Sequence, residues 1–600
     1  MQLFSRLRPA VFGTSTTKPT EDTIPNEKQK ELDAESAVSS PTQDDNEQTQ
    51  QSEEERPDNE AQRGVQRAEA VTLTWSKPTL IAVFINVWLL YFVNAMQSSV
   101  SYSLIPFVTS SFSSHSLLNV IYIVANAMSA ATYVPLAKVI DVWGRAEGYF
   151  IMCTFATLGL ILMATCHNLA TFCAAHVFYS IGFGGMVFCL AIITADSSKL
   201  KNRALAYAFI NTPYIITAFA GAKAAEGFYY DISWRWGYGT FAIVFPVVAA
   251  PLFFVLKYNL RKAEKQGIIK KEKSDRTFLQ SVWYYFIEFD IGGVIVFSVG
   301  LTVFLLPFNI ASSAPNGWQT GYIIAMIIVG FVLLVAFSLY EKFLAPTPML
   351  DFSILTDRTI IGACLINATY VISYFCWANY FTSFLQVVNN ITLAESGYIG
   401  HTFEVVSGIL LLGVGYLMRR TGYFKWLLYF AVPLYILAQG LMIYFRRPNQ
   451  SVGFLVMCQV FTSIGGAVFI MIGQIAVLAA VDHQHIAAAL AFLYVVGTIG
   501  NALGATICGA IWSNTFQPAL AKYLPESELS NLPMIYSDLT TQLSYEVGSA
   551  TRVAIQEAYG YAQTRMLSAG TAIMGLCFIW TLLIRNINLT KVEQVKGMVF

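Results

Sequence analysis

Apolar residues in this chain come in long blocks separated by short polar breaks. The blocks run near residues 79–103, 117–138, 147–166, 168–195, 203–225, 237–257, 291–310, 319–340, 358–386, 396–418, 424–445, 453–480, 484–512 and 566–585. Each is close to the roughly 20 residues that cross the hydrocarbon of a bilayer as a helix. Backbone inside hydrocarbon must satisfy its own hydrogen bonds, which an α-helix does. The pattern therefore predicts an all-α membrane protein with 14 transmembrane helices. The ninth block, extended to Val388, carries a second pattern. Tyr370, Tyr374, Trp377, Phe381 and Phe384 recur at steps of four and three and share one helical face. Phe375, Asn379, Thr382 and Gln386 recur on the neighbouring face. Amides in hydrocarbon need partners or water. Two readings follow: a helix–helix packing seam, or the wall of a wet cavity that stacks and hydrogen-bonds a cargo. The second nominates Tyr370, Tyr374, Trp377, Asn379, Phe381 and Gln386, with Gln459 and Asn501 from later blocks. Asn94, Gln97, Asn211 and Gln474 are further polar groups within blocks, read either as cavity lining or as glue between helices.

Before the first block the pattern changes. Residues 21–60 hold 14 acidic and 3 basic side chains among Ser, Thr, Gln and Asn. Such a stretch buries too little apolar surface to fold, so residues 1–75 are expected to be a disordered acidic tail, left in the cytosol for want of a signal-peptide core. An even number of spans then returns the C-terminus to the same side. The loops assigned to the inside hold 21 Lys and Arg, and those assigned to the outside hold 6, the asymmetry expected of cytosolic loops. Residues 258–287 form a basic inner loop with Trp283, Tyr284, Tyr285 and Phe286, read as an amphipathic segment on the leaflet. Residues 513–565 form the one long outer loop, and the helical patterning of 537–566 suits a cap over the outer mouth.

Composition narrows the class. Hydrophobic residues make up 55% and charged residues 12%, about half the charge of a soluble domain. Net charge is zero, which suggests no nucleic-acid partner. The nine cysteines, at 153, 166, 173, 189, 364, 376, 458, 508 and 577, all lie in apolar blocks with no paired spacing. That pattern suggests neither a disulfide framework nor a thiolate metal site. No cofactor is expected, no nucleotide-binding loop points to an ATP-driven pump, and no constellation supports an enzyme. Asn390 and Asn449 head sequons in outer loops and are candidate glycosylation sites.

One short pattern occurs twice at the inner side. Ala137, Asp141, Gly144 and Arg145 lie between the second and third blocks; Gly415, Arg419 and Gly422 lie between the tenth and eleventh. In each, a small residue is followed four positions on by a charge and three further on by a glycine. This resembles the inner-loop signature of the major facilitator superfamily, present once in each six-helix half. Ser233-Trp-Arg-Trp-Gly-Tyr-Gly239 is similar to the opening of the sixth helix in fourteen-helix drug/proton antiporters. Phe178, however, stands where those antiporters carry an arginine ahead of Gly182 and Gly184. The stretches 380–388, 397–399, 421–427, 177–182, 202–204 and 585–587 resemble the fungal siderophore–iron transporters, from about residue 75 to the C-terminus.

The resemblance implies two six-helix halves, 76–257 and 358–585, the second including loop 513–565. The basic loop and inserted helices 7 and 8 occupy 258–357, and a cytosolic tail occupies 586–600. It implies proton-coupled uptake of ferric siderophore by alternating access, with protons and the bilayer as partners, a monomer, and a place in the plasma membrane or endosomal vesicles. It also places the fifth and tenth helices across one seam. Charges inside spans are functional candidates. Lys223 is therefore expected to approach Glu404 or His401 as an outer gate and proton-coupling site. Asp141, Gly144, Arg145, Asp196, Arg203 and Arg419 are expected to form the inner gate. A ferric siderophore supplies its own iron ligands, so the carrier needs aromatic faces and amides rather than metal ligands. Two readings stay open beside this one: proton-coupled efflux of drugs or export of a small peptide-like solute, and a non-transporting siderophore sensor.

Overall fold

The computed structural model describes residues 63–112, 118–269, 277–311, 314–345, 356–482, 485–590 and 599. The acidic stretch up to residue 62, the basic residues between 270 and 276, and Lys591 and Lys596 lie outside the described residues. Among the described residues, fourteen helices are long and apolar enough to cross a membrane: α1 (Lys77–Ser111), α2 (Asn119–Val142), α3 (Arg145–Thr165), α4 (Leu169–Asp196), α5 (Leu200–Ile232), α6 (Trp234–Lys265), α7 (Ile291–Ile310), α8 (Gly321–Phe343), α9 (Arg358–Val388), α10 (Leu393–Thr421), α11 (Lys425–Phe445), α12 (Val452–Ala479), α13 (Ile486–Tyr523) and α14 (Ala550–Leu583).

Three boundaries differ from the apolar pattern. The helix Arg63–Thr74 extends order into the segment expected to be tail. Its Val65, Ala68, Ala70 and Val71 are buried, so an apolar face outweighs the polar composition that precedes it. α13 and α14 run well past their apolar blocks, toward the loop between them. Helix propagation adds a hydrogen bond per residue and continues until something stops it. The Ser549 side chain supplies the start of α14 by accepting from the Arg552 amide. Finally, α9 is broken: it ends at Ala378, turns through Asn379 and Tyr380, and resumes at Phe381–Val388.

α1–α6 pack among themselves, as do α9–α14. The two groups meet along α2 with α13 and along α5 with α10. α7 and α8 pair with each other, and α7 lies on α2. Lipid offers no hydrophobic drive between helices, so small residues that admit close backbones decide the contacts. α3 and α4 show this most clearly. A Cβ on Gly159 would sit 2.3 Å from the Tyr179 amide nitrogen, and one on Gly182 would sit 2.1 Å from that of Ala156. The segment between α13 and α14 touches both groups. The Leu539 amide donates to Ser110 Oγ of α1 at 3.1 Å, and Arg552 donates to the Gln386 carbonyl of α9 at 3.3 Å.

Candidate functional site

Two adjoining cavities, of about 340 and 250 Å³, lie between the groups. They share Tyr133, Gly184, Val187, Thr498 and Asn501. α2 contributes Asn126, Ser129 and Tyr133, at steps of three and four; α13 contributes Tyr494, Thr498 and Asn501, at steps of four and three. Each set therefore occupies one helical face, and the faces oppose each other on the two helices that join the groups. Tyr133 and Tyr494 meet with ring centroids 5.3 Å apart. Gln97 and Tyr179 exchange hydrogen bonds of 2.8 and 2.9 Å, and Asn94 donates to the Tyr214 hydroxyl at 2.8 Å. Gln474 donates to the Tyr494 hydroxyl at 3.5 Å. Asn501 Oδ1 is buried with no hydrogen-bond partner, so an amide acceptor stands ready for a donor. Every side chain lining the two cavities is uncharged.

Of the eight residues nominated for cargo contact, Asn501 alone lines these cavities. The stripe on α9 is a packed seam. Tyr370 lies against Phe403, Tyr435 and Phe469, with ring centroids 5.6–6.4 Å away. Tyr374 touches Trp377 and Phe403, and Trp377 touches Phe381. Aromatics on α10, α11 and α12 fill the space that a wet wall would leave open. Asn379 donates to Asn119 Oδ1 at 2.5 Å across the groups, and Gln386 donates to the Thr382 carbonyl at 3.3 Å. Gln459 is buried, and its Oε1 has no partner.

The seam encloses one of the six cations assigned to the outer loops. Arg446, just beyond α11, is fully buried. Its guanidinium lies 4.3 Å from the Trp377 ring centroid and 4.1 Å from that of Phe381, and donates to Gln563 Oε1 at 3.1 Å. Among the described residues no carboxylate pairs with it; aromatic faces stabilise the charge instead. Burial lowers its pKa from the ordinary arginine value to about 9, which leaves it charged at neutral pH.

At the same end, His401 joins the groups. Its Nε2 lies 2.9 Å from Ser99 Oγ of α1, its ring 5.0 Å from that of Tyr102, and its Nδ1 3.5 Å from Glu404 Oε2. Lys223 does not approach this pair. It bonds Glu226 on its own helix, and its side chain is 71% exposed. The reason is helical phase. Neighbouring Ala222 faces α10, where a Cβ on Gly397 would meet it at 2.6 Å, and the next position projects about 100° further round.

At the basic end, Arg145 draws three elements together. Its Nη1 bonds Asp141 Oδ1 at 3.2 Å and its Nε bonds Asp196 Oδ2 at 2.8 Å, with all three side chains buried. Gly144 before it has φ 123° and ψ 166°, a conformation almost confined to glycine. Arg203 is fully buried and donates to the Ala195 and Ser198 carbonyls, both at 3.1 Å, which ties α5 to the end of α4. Arg419 is exposed. Asn390 and Asn449 are exposed on turns with φ 56° and 66°, and Asn390 Oδ1 accepts from Arg552 at 3.2 Å. Among the described residues, no three His, Cys, Asp or Glu side chains gather as a metal-ligating group.

This architecture is that of a two-group membrane carrier. Residues 87–388 match the Major Facilitator Superfamily. The chain is 58% identical to siderophore iron transporter mirB of Emericella nidulans, over 92% of this chain and 91% of that one. It is 54% identical to MFS siderochrome iron transporter 1 of Gibberella zeae, over 90% and 89% of the two chains. The human organic anion transporter MFSD10 (TETRAN) shares the fold, with a TM-score of 0.51 and 12% identity over 84% of this chain and 99% of that one. So does an inward-facing bacterial homolog of the lysosomal transporter Spinster, at 0.51 and 16% over 85% and 98%. The chain belongs to the major facilitator superfamily, within its siderophore iron transporters.

Proposed function

We propose that the protein imports ferric siderophores into a fungal cell, coupled to protons, by alternating access at the cavity between α2 and α13. The carrying observation is the uncharged lining of that cavity, in which amides, hydroxyls and tyrosines stand among glycines and apolar side chains. Burying a net charge without a counter-charge is costly, so this lining favours a neutral chelate. Three hydroxamates, each a monoanion, cancel the charge of Fe³⁺; three catecholates, each a dianion, leave a charge of −3. The amides then meet the ligand's own amide groups, and Tyr133 and Tyr494 supply faces. The resting volumes are at or below the lower end of the roughly 300–1,000 Å³ of small-molecule sites, so a bulky chelate enters as the groups part.

The His401–Glu404 pair couples the proton. An imidazole and a carboxylate within one helical turn are suited to carry it, and His401 bonds across to α1. Asp141, Arg145, Asp196 and Arg203 latch the opposite end. The excess of Lys and Arg in the loops there favours that end facing the cytosol, with the protein in the plasma membrane. Asn390 and Asn449 then face outward as glycan acceptors.

The test is uptake of radiolabelled iron, as chelates of each ligand type, by cells lacking their own carriers, with and without a protonophore. Uptake of a hydroxamate chelate that collapses with the protonophore and is lost in Glu404→Gln is the expected result. Uptake of the catecholate chelate alone would overturn the charge argument. Undiminished, protonophore-sensitive uptake by Glu404→Gln would remove that residue from coupling.

A further inference from the structure

Beyond the transport cavity, toward the His401 end, the seam between the groups carries a second set of amides. Each comes from a helix end or a break. Asn119 opens α2. Asn379 sits at the interruption of α9 between Ala378 and Phe381. Asn309 belongs to α7, which is interrupted at Leu306; Pro307 then starts the short last turn, Pro307–Ile310, that carries it. All three side chains are buried. Asn379 donates to Asn119 Oδ1 at 2.5 Å and so joins the second group to the first. Gly509 of α13 is the floor on which the amides rest. A Cβ there would sit 1.5 Å from Asn309 Oδ1 and 3.2 Å from Asn119 Nδ2. The set therefore brings together both groups and the inserted pair.

Helical register puts the set in line with the cavity. Asn119 is seven positions before Asn126, and Gly509 is eight after Asn501, so each lies on the same stripe as a residue of the cavity lining. Two turns of helix separate them, about 11 Å. Among the described residues, Asn119 Nδ2 and Asn309 Nδ2 are buried with no hydrogen-bond partner. A buried donor left unmet is destabilising, and apolar side chains of the same shape would serve packing at least as well. These donors want an acceptor that arrives from elsewhere. The set holds no cation, so an anion would be buried there without a counter-charge. A neutral carbonyl oxygen is the acceptor that suits it.

We propose that Asn119, Asn309 and Asn379 form an amide gate at this end of the cargo path. The Asn379–Asn119 bond closes it. As the groups part, the freed amides donate to carbonyl oxygens of the incoming cargo. The cargo step rests on the alternating access and chelate import proposed above; the closing contact does not. The gate also gives the inserted pair a place in transport, because Asn309 fills the seat that Gly509 leaves open.

Asn309→Leu keeps much of the side chain's shape and removes its donor. In cells lacking their own carriers, uptake of a hydroxamate iron chelate by this variant should show KM raised about fivefold, the worth of one hydrogen bond, with the maximal rate little changed. Gly509→Ala, which displaces the Asn309 amide without removing a polar group, should do the same. Gel filtration of the full chain checks that each variant is folded. An unchanged KM in folded Asn309→Leu and Gly509→Ala overturns the cargo contact. The closing contact has its own readout. Cys508 is buried beside Asn119. Its labelling by a thiol reagent, read by peptide mass spectrometry on the full chain in nanodiscs, should run about fivefold faster in Asn379→Leu than in the parent. Equal rates would overturn the gate. A parent that takes up no chelate would sink the proposed import, and the labelling would then decide the gate alone.

Discussion

Two turns at the basic end share a spacing and hold different things. The turn after α2 places Asp141 and Arg145 in a buried network with Asp196 of α4. The turn after α10 places Arg419 and Arg420 in the open. Both need a glycine, but in different conformations: Gly144 at φ 123°, and Gly422 as the left-handed cap of α10 at φ 71°. Gly422 is anchored by backbone, donating to the Met418 carbonyl and accepting from Leu589, both at 2.9 Å. The backbone device is common to both copies, and the charge chemistry belongs to the first. The buried charge network at this end is accordingly asymmetric between the groups.

The contrast can be broken most severely at Arg145. Arg145→Gln leaves two buried carboxylates without their cation and should cost about 3–5 kcal/mol, read as a fall in the denaturation midpoint of the purified chain. Gly144→Ala should cost about 1–3 kcal/mol, because few other residues adopt its backbone angles. Gly422→Ala should cost about 1 kcal/mol, the ordinary penalty for a left-handed residue bearing a Cβ. Arg419→Gln should change stability by less than about 0.5 kcal/mol, as exposed substitutions do. An Arg419→Gln loss as large as that of Arg145→Gln would erase the asymmetry.

The sequence made the spans, their number and the repeat legible, because hydrocarbon imposes length and apolarity on each block. The candidate site was legible only in part. Asn94, Gln474 and Asn501 stood out as amides in apolar blocks and do line the cavities. The faces Asn126–Ser129–Tyr133 and Tyr494–Thr498–Asn501 carry the same three-and-four spacing as the stripe on α9, with fewer aromatics to mark them. The α9 stripe itself shows the limit: periodicity identifies a face but not what stands opposite it. Phe403, Tyr435 and Phe469 stand there, and they come from three other helices. Arg446 was hidden for a related reason. A cation one residue beyond a span reads as a loop charge until the rings that cover it are placed. Lys223 reads as a gate from its depth alone, and one step of helical phase turns it away. Phe178, the departure from the antiporter pattern, packs on Phe155 with stacked rings 5.9 Å apart, a place where a cation would meet a ring rather than a partner acid.

The reciprocal glycines of α3 and α4 carry a mechanical consequence. Two contact points, Gly159 on Tyr179 and Gly182 on Ala156, sit where one helix backbone rests on the other. A pair pinned twice along its length resists shear, because sliding either helix would drive side chains into main chain at both points. In the alternating access proposed above the pair would turn as a stiff plate, with the strain falling on its edges, where Arg145 ties the start of α3 to Asp196 at the end of α4. A spectroscopic ruler across the plate should read one distance in every state, while a ruler from the plate to α13 should read two.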